Sequence, residues 1–214
     1  MPRLREQNMS LLLEAEPPKP GLRERKKAKT RTAIQEQALR LFAAQGYEET
    51  TIEQIADAAE VSPSTFFRYF PTKEDVVMYD ALDPLLLAAW EGQPAELSPI
   101  GALRATMRDV FGGAPADVLA QQDERALLIF SVPELRMRML DELVRSMHFF
   151  TDIAAKRARK PADDPAVQAL AGAVIGVGIA AWVGAGGLRA SDFIHQMDAA
   201  LAELEAGFPS LDQR

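Results

Sequence analysis

Between Ser62 and Phe70 the chain reads Ser-Pro-Ser-Thr-Phe-Phe-Arg-Tyr-Phe, so hydroxyls, a guanidinium and a phenol stand within barely two helical turns. Ser62 followed by Pro63 is a helix start: the hydroxyl caps orphan backbone N–H groups, and proline suits the first helical position. Pro71 stops the helix. Small polar residues at the N-terminal end of a short helix suit a DNA major groove, about 12 Å wide. Ser62, Ser64, Thr65 and Arg68 would lie near base edges, with Pro63, Phe67 and Tyr69 on the rim, while Phe66 and Phe70, one turn apart, face inward.

The residues upstream form a mount for that helix. Thr51-Ile52-Glu53-Gln54 fits a capping box that opens a helix over 52–59, with Ile52, Ile55, Ala56 and Ala59 on one face. Two short capped helices joined by a few residues read as a helix-turn-helix. Spacing alone favours the DNA-binding reading but also describes an αα-corner that merely packs. A longer helix precedes them from about Arg23 to Gln45, closed by Gly46 and beginning in a basic run. Lys19 to Arg31 holds seven basic residues, Lys26 and Lys29 among them, against Glu24 alone. Such a run is either a solvated face or a phosphate-binding arm. The formal net charge of −7 hides this, because residues 1–79 carry 12 basic and 12 acidic side chains and the whole deficit lies in 80–214. Local field governs docking onto phosphates.

Other chemistry is thinly represented. There is no cysteine, hence no disulfide, thiol nucleophile or zinc–thiolate site. His148 and His195 are isolated and lack metal-ligand spacing. Gly176-Val177-Gly178-Ile179-Ala180-Ala181 formally matches a dinucleotide fingerprint, with Asp198 about twenty residues on, but the flanking strands that the motif needs are missing. The pairs Glu48-Glu49, Asp141-Glu142 and Asp163-Asp164 read as helix ends and solvated faces. No enzyme activity, metal or cofactor is expected.

Residues 29–82 resemble the N-terminal domain of TetR-family transcriptional regulators. The resemblance rests on Ala38-Leu39-Arg40-Leu41-Phe42, Gly46-Tyr47-Glu48-Glu49-Thr50-Thr51, Ile55-Ala56, Val61-Ser62 and Phe66-Phe67-Arg68-Tyr69-Phe70-Pro71-Thr72-Lys73-Glu74. It implies backbone contacts from Lys26, Lys29, Thr51, Lys73 and Tyr69. Phe67 departs from the family, which usually has tyrosine there, and so lacks the phosphate-reaching hydroxyl. Double-stranded DNA is the implied partner, read by a homodimer on a palindromic operator. A small-molecule binding protein with a vestigial helix-turn-helix is the alternative; salt-sensitive, sequence-selective DNA binding separates the two.

The expected fold is all-α. Residues 1–21 read as a disordered tail, 22–80 as a three-helix DNA-binding module, and 81–214 as a helical bundle for ligand binding and dimerisation. Thr72 caps a helix expected to run to about Trp90, with a bend at Pro84. Further helices are expected at about 99–111, 116–131, 133–160, 165–187 and 191–207. Residues 166–188 carry no charge over a membrane-span length, but the segment is rich in Ala and Gly and has no basic cluster beside its end, so a cytoplasmic protein without a membrane span is expected. Gly172, Gly176, Ala180 and Gly184 make a small-residue ridge which, with Phe193, Met197 and Leu201, fits the dimer interface that the family builds from its last two helices. The same ridge would also suit helix contact within one subunit.

For the second half an ordinary helical core and an adaptable effector cavity both fit. The cavity would draw on Phe111, Phe130, Met137, Leu143, Met147, Phe150 and Trp182. Ser131-Val132-Pro133-Glu134-Leu135-Arg136 and the helices after it resemble the branch related to the mycofactocin-associated regulator. That resemblance brings in a hydrophobic effector of the acyl-CoA type, with Lys156, Arg157, Arg159 and Lys160 at the pocket mouth to hold CoA phosphates.

Overall fold

A computed structural model describes residues 21–184 and 189–209. The expected N-terminal tail and the end of the 165–187 helix therefore lie outside the described residues. Those described are helical or irregular, with no strand among them. In chain order the helices are α1 (Leu22–Gln45), α2 (Ile52–Ala58), α3 (Pro63–Tyr69), α4 (Lys73–Met78), α5 (Asp83–Gly92), α6 (Pro99–Gly112), α7 (Ala116–Ser131), α8 (Pro133–Ala158), α9 (Pro165–Gly184) and α10 (Ala190–Ala206).

Helices of six or seven residues are too short to hold themselves in water; α2, α3 and α4 are held by caps and by a shared core. Thr51 and Gln54 close a capping box on α2, Thr72 and Asp75 another on α4, and Ser62 Oγ accepts the Thr65 N–H on α3. Between α2 and α3 the chain turns through Glu60 at φ 54°, a left-handed conformation uncommon outside glycine, while Val61 N–H bonds back to Ala56 O. Phe66, Phe70, Ile34, Ile55, Val76 and Val77 are buried beneath these helices. The Gln35 amide crosses from α1 to donate to Val76 O and Tyr79 O, satisfying the last carbonyls of α4.

The helix expected to run from Thr72 to Trp90 is broken rather than bent. Helix α4 ends at Met78, Tyr79 is extended at ψ 124°, and α5 restarts at Asp83 with Pro84 in its first turn. A proline lacks the N–H that a continuous helix would need and disfavours helical backbone just before it. Asp80 Oδ1 accepts the Leu82 N–H across the gap.

A second core gathers Trp90, Ile100, Met107, Phe150, Val174 and Leu201 from α5, α6, α8, α9 and α10. Leu135, at the start of α8, lies instead in the first core, fully buried among the DNA-module residues. The α7–α8 corner thus plugs the N-terminal module from below. The 18 residues from Pro165 to Trp182 are long and apolar enough to cross a membrane by length and composition. Along that helix Val167, Ala171, Val174 and Ala181 are buried against the subunit, while Gly172, Gly176 and Ala180 are exposed.

Candidate nucleic-acid interface and effector cavity

At the N-terminal end of α3, Ser62 Oγ lies 2.9 Å from Ser64 Oγ and donates to Thr65 Oγ1 at 3.0 Å. Three hydroxyls thus share one small network around the cap, held before any partner arrives. Ser62, Pro63, Ser64, Phe67 and Arg68 are exposed and Thr65 half-buried. The Arg68 guanidinium lies over the Tyr69 ring, 5.4 Å from its centroid. Beneath it Phe66 meets Phe67 edge to face, so Phe67 stands 51% exposed with its ring anchored at one side. On α1, Lys26 and Lys29 lie in the first two turns, where every residue from Leu22 to Lys29 is exposed. Thr51 is exposed at the start of α2.

Lys73 is engaged more deeply than its sequence position suggests. Its ammonium donates to Tyr47 O at 2.8 Å and Thr50 O at 3.2 Å and sits over the Tyr47 ring. It therefore clamps the α1–α2 turn onto α4, with only part of its donor capacity left for a phosphate. The Tyr47 hydroxyl donates to Glu74, and burial together with that carboxylate pushes its pKa far up. Arg31 is a residue that the sequence did not single out. It stacks on both Phe70 and Tyr79 and donates to Tyr69 O, tying the end of α3 to α1. Its place at the end of the basic run, two residues after the exposed Lys29, was the available signal.

The cavity of the second half lies under the α4–α5 break and has a volume of about 210 Å³. Of the seven residues expected at an effector cavity, Phe111, Phe130 and Trp182 line it, the Phe130 and Trp182 rings near parallel. The other four predicted pocket residues lie elsewhere. Met137 is 66% exposed on the outer face of α8. Met147 and Phe150 belong to the second core, Phe150 edge to face with Trp90, and Leu143 is partly buried outside the cavity wall. A helix as long as α8 presents different neighbours along its length, so equally apolar residues on it separate.

Helix α10 departs from the interface expectation at Leu201, which is fully buried within the subunit; Phe193 lines the cavity, and Met197 packs against the second core and lies 3.9 Å from where a Cβ on Gly178 would stand. The apolar stripe of α10 is consumed inside the subunit, where Arg104 on α6 pairs with its Asp198 and Glu205. Hydrogen bonding from Arg104 holds the Asp198 carboxyl below the usual range. Gly172 and Gly176 remain open, with nothing within 4 Å of a Cβ built at either.

The basic cluster at the end of α8 is also in the wrong place for the cavity. Arg157 donates to Trp90 O, Gln93 O and Pro94 O, capping α5, and Lys160 pairs with Asp164. Met139, on the cavity wall, is 18 residues from Arg157, or about 27 Å along the helix. Polar groups that the sequence left unmarked stand at the cavity instead. Arg125 on α7 pairs with Asp80, shares Gln122, and donates to Met78 O and Tyr79 O. Arg125, Gln122 and Asp80 all line the cavity, so its wall is joined directly to the C-terminal end of α4. Beside it, burial and the neighbouring Asp80 raise the Asp83 carboxyl to about 6.

Comparison with known proteins follows this division. Residues 34–78 match the profile of bacterial regulatory proteins of the tetR family, and residues 97–209, just over half the chain, match the MftR C-terminal domain. The chain belongs to the TetR family. It is a DNA-binding transcriptional regulator of that family, its second half of the MftR type. Over 95 residues it is 50% identical to the HTH-type transcriptional regulator TcmR of Streptomyces glaucescens, a match spanning 44% of this chain and 42% of that protein. Among solved structures, FadR of Thermus thermophilus, a TetR-family repressor in complex with lauroyl-CoA, aligns at TM-score 0.51 and 25% identity over 83% of this chain and 94% of that one. A transcriptional regulator from Aquifex aeolicus aligns at TM-score 0.51 and 16% identity over 84% of this chain and 99% of that one, which speaks to the fold alone.

Proposed function

We propose that this regulator is a homodimeric, ligand-responsive repressor that binds a palindromic operator and is released by a small apolar effector. Residues 22–80 act as the reader and 81–214 as the sensor and dimerisation unit. The observation that carries the reading is the Arg125–Asp80 connection, because it joins a cavity in one unit to the helix that mounts the reader in the other. An effector that favours a different Arg125 position would move α4 and change the separation of two reading heads. It can do so only by binding the DNA-incompatible state more tightly.

In this reading Ser62, Ser64, Thr65 and Arg68 meet base edges in the major groove. Lys26, Lys29, Thr51, Tyr69 and the remaining capacity of Lys73 hold phosphates. Two copies meet through the open ridge of Gly172, Gly176 and Ala180, where a partner helix can approach closely. An acyl-CoA effector is a second, narrower reading, favoured by the likeness to FadR, whose structure holds lauroyl-CoA. It has to find its phosphate contacts elsewhere than at Arg157 and Lys160, which are already engaged.

The test is binding of the purified protein to DNA upstream of its own gene and to a random-site library, at two salt concentrations, with and without lauroyl-CoA and free CoA. Selective binding that weakens steeply with salt supports the regulator. Release by lauroyl-CoA and not by CoA supports the narrower reading. No selected site from the library would leave the helix-turn-helix vestigial and overturn the proposal.

A further inference from the structure

The lining of the cavity narrows the ligand class, an argument that rests on the cavity being the effector site. Four aromatic rings face it: Phe111 from α6, Phe130 from α7, Trp182 from α9 and Phe193 from α10. Rings from four different helices converge on a volume of about 210 Å³, below the roughly 300–1,000 Å³ of sites for drug-sized ligands. The Phe130 and Trp182 rings lie near parallel on one wall, which offers flat apolar surface to a planar ligand, whereas an alkyl chain gains no such geometry from these walls.

Two polar groups of the same wall lack partners among the described residues. The indole Nε1 of Trp182 is buried with no acceptor, and buried donors in folded proteins are rarely left so. Arg189, just before α10, lines the cavity and has no ion-pair partner among the described residues. Arg125 differs, because Asp80 neutralises it. Among the described residues the wall therefore offers one unmet N–H and, at its solvent-exposed edge, one arginine without an ion pair.

We infer that the cavity takes a small planar aromatic acid, its ring lying against the Phe130 and Trp182 wall and its carboxylate or phenolate meeting Arg189, with an oxygen as acceptor for Trp182. A long acyl chain matches neither the volume nor the unmet polar groups.

The full chain is titrated with 2-naphthoate, with decanoate as an aliphatic acid of similar carbon number, and with lauroyl-CoA. Emission is read in a Trp90→Phe variant so that Trp182 is the sole reporter, and calorimetry on the unaltered protein guards against damage to the core at Trp90. Expected are quenching by 2-naphthoate and affinity at least about tenfold above that for decanoate. Arg189→Ala should weaken 2-naphthoate by about tenfold, the scale of a lost charge-assisted bond, and leave the neutral 2-acetylnaphthalene unchanged. Decanoate or lauroyl-CoA binding as tightly as 2-naphthoate would overturn the inference, as would no 2-naphthoate binding at millimolar concentration. Operator binding by the same preparation reports separately on the regulator assignment, so the two can fail independently.

Discussion

Phe66 and the side chains packed beneath it are enclosed, whereas around Phe130 the helices leave a hole. Helix α3 has seven residues, yet its Phe66 and the following Phe70 are 0% and 2% exposed. Helix α7 has 16 residues and buries none of them fully. The short helix is the more firmly held because caps and core act on it together. The long helix carries its own hydrogen bonds and can stay intact while its side chains remain loosely covered. A reading head must present fixed hydroxyls to a groove, and a sensor must admit a ligand, so enclosure in one and vacancy in the other suit the two tasks.

The comparison breaks most directly at its strongest point. Phe66→Ala should destabilise the protein by about 3–5 kcal/mol, while Phe111→Ala, only partly buried at the cavity, should cost about 1–2 kcal/mol. Thermal unfolding of both variants measures this, and equal losses would mean that the sensor is no softer than the reader. Arg68→Ala should weaken operator binding by roughly tenfold or more, the loss of one good base contact, without moving the unfolding midpoint. Sedimentation should still find a dimer; a monomer would refute the division between reader and dimerisation unit.

Arg125→Ala probes the junction between them. It strips Asp80 of its cation and two carbonyls of their donor, which should cost about 1–2 kcal/mol. Effector release should be lost while effector binding, followed by calorimetry, persists. Asp83→Asn has a smaller effect, with a defined sign. The carboxyl titrates at about 6 in the folded chain against an ordinary 3.8, so native structure favours its neutral form. Wild-type stability is then greatest below the unfolded value and declines as pH rises toward 6. Because the Asp83 side chain also reaches solvent, the amide should gain less than about 1 kcal/mol at pH 7 and nothing at pH 3. Denaturant midpoints at the two pH values decide it. Smallest of all, Phe67→Tyr should tighten operator binding two- to threefold and steepen its salt slope by about one, as one more phosphate contact requires.

Much of the reader was legible because its signals are local. Thr51 with Gln54, Ser62 with Pro63, and Thr72 with Asp75 each announce a helix start within four residues, and the structure has all three caps. Phe66 and Phe70 lie one turn apart and share a face in any helix, so their burial could be read from spacing. The sensor was legible only as helices. Met137 and Met147 look alike in sequence, yet one lies in the open and the other against the second core. Phe193 and Leu201 form a plain apolar stripe, and nothing along the chain says whether that stripe meets α6 of its own subunit or a second copy.

The sequence by itself determined that the protein is helical, where most helices start, and which short helix carries the cluster of hydroxyls at its cap, because capping and periodicity act over a few residues. Only the tertiary structure decided that Leu135 closes the reader's core, that Lys73 and Arg157 spend their donors on backbone carbonyls, and that Arg125 reaches α4 from the cavity. Those outcomes join positions tens of residues apart, and they depend on which surfaces meet once the helices are brought together.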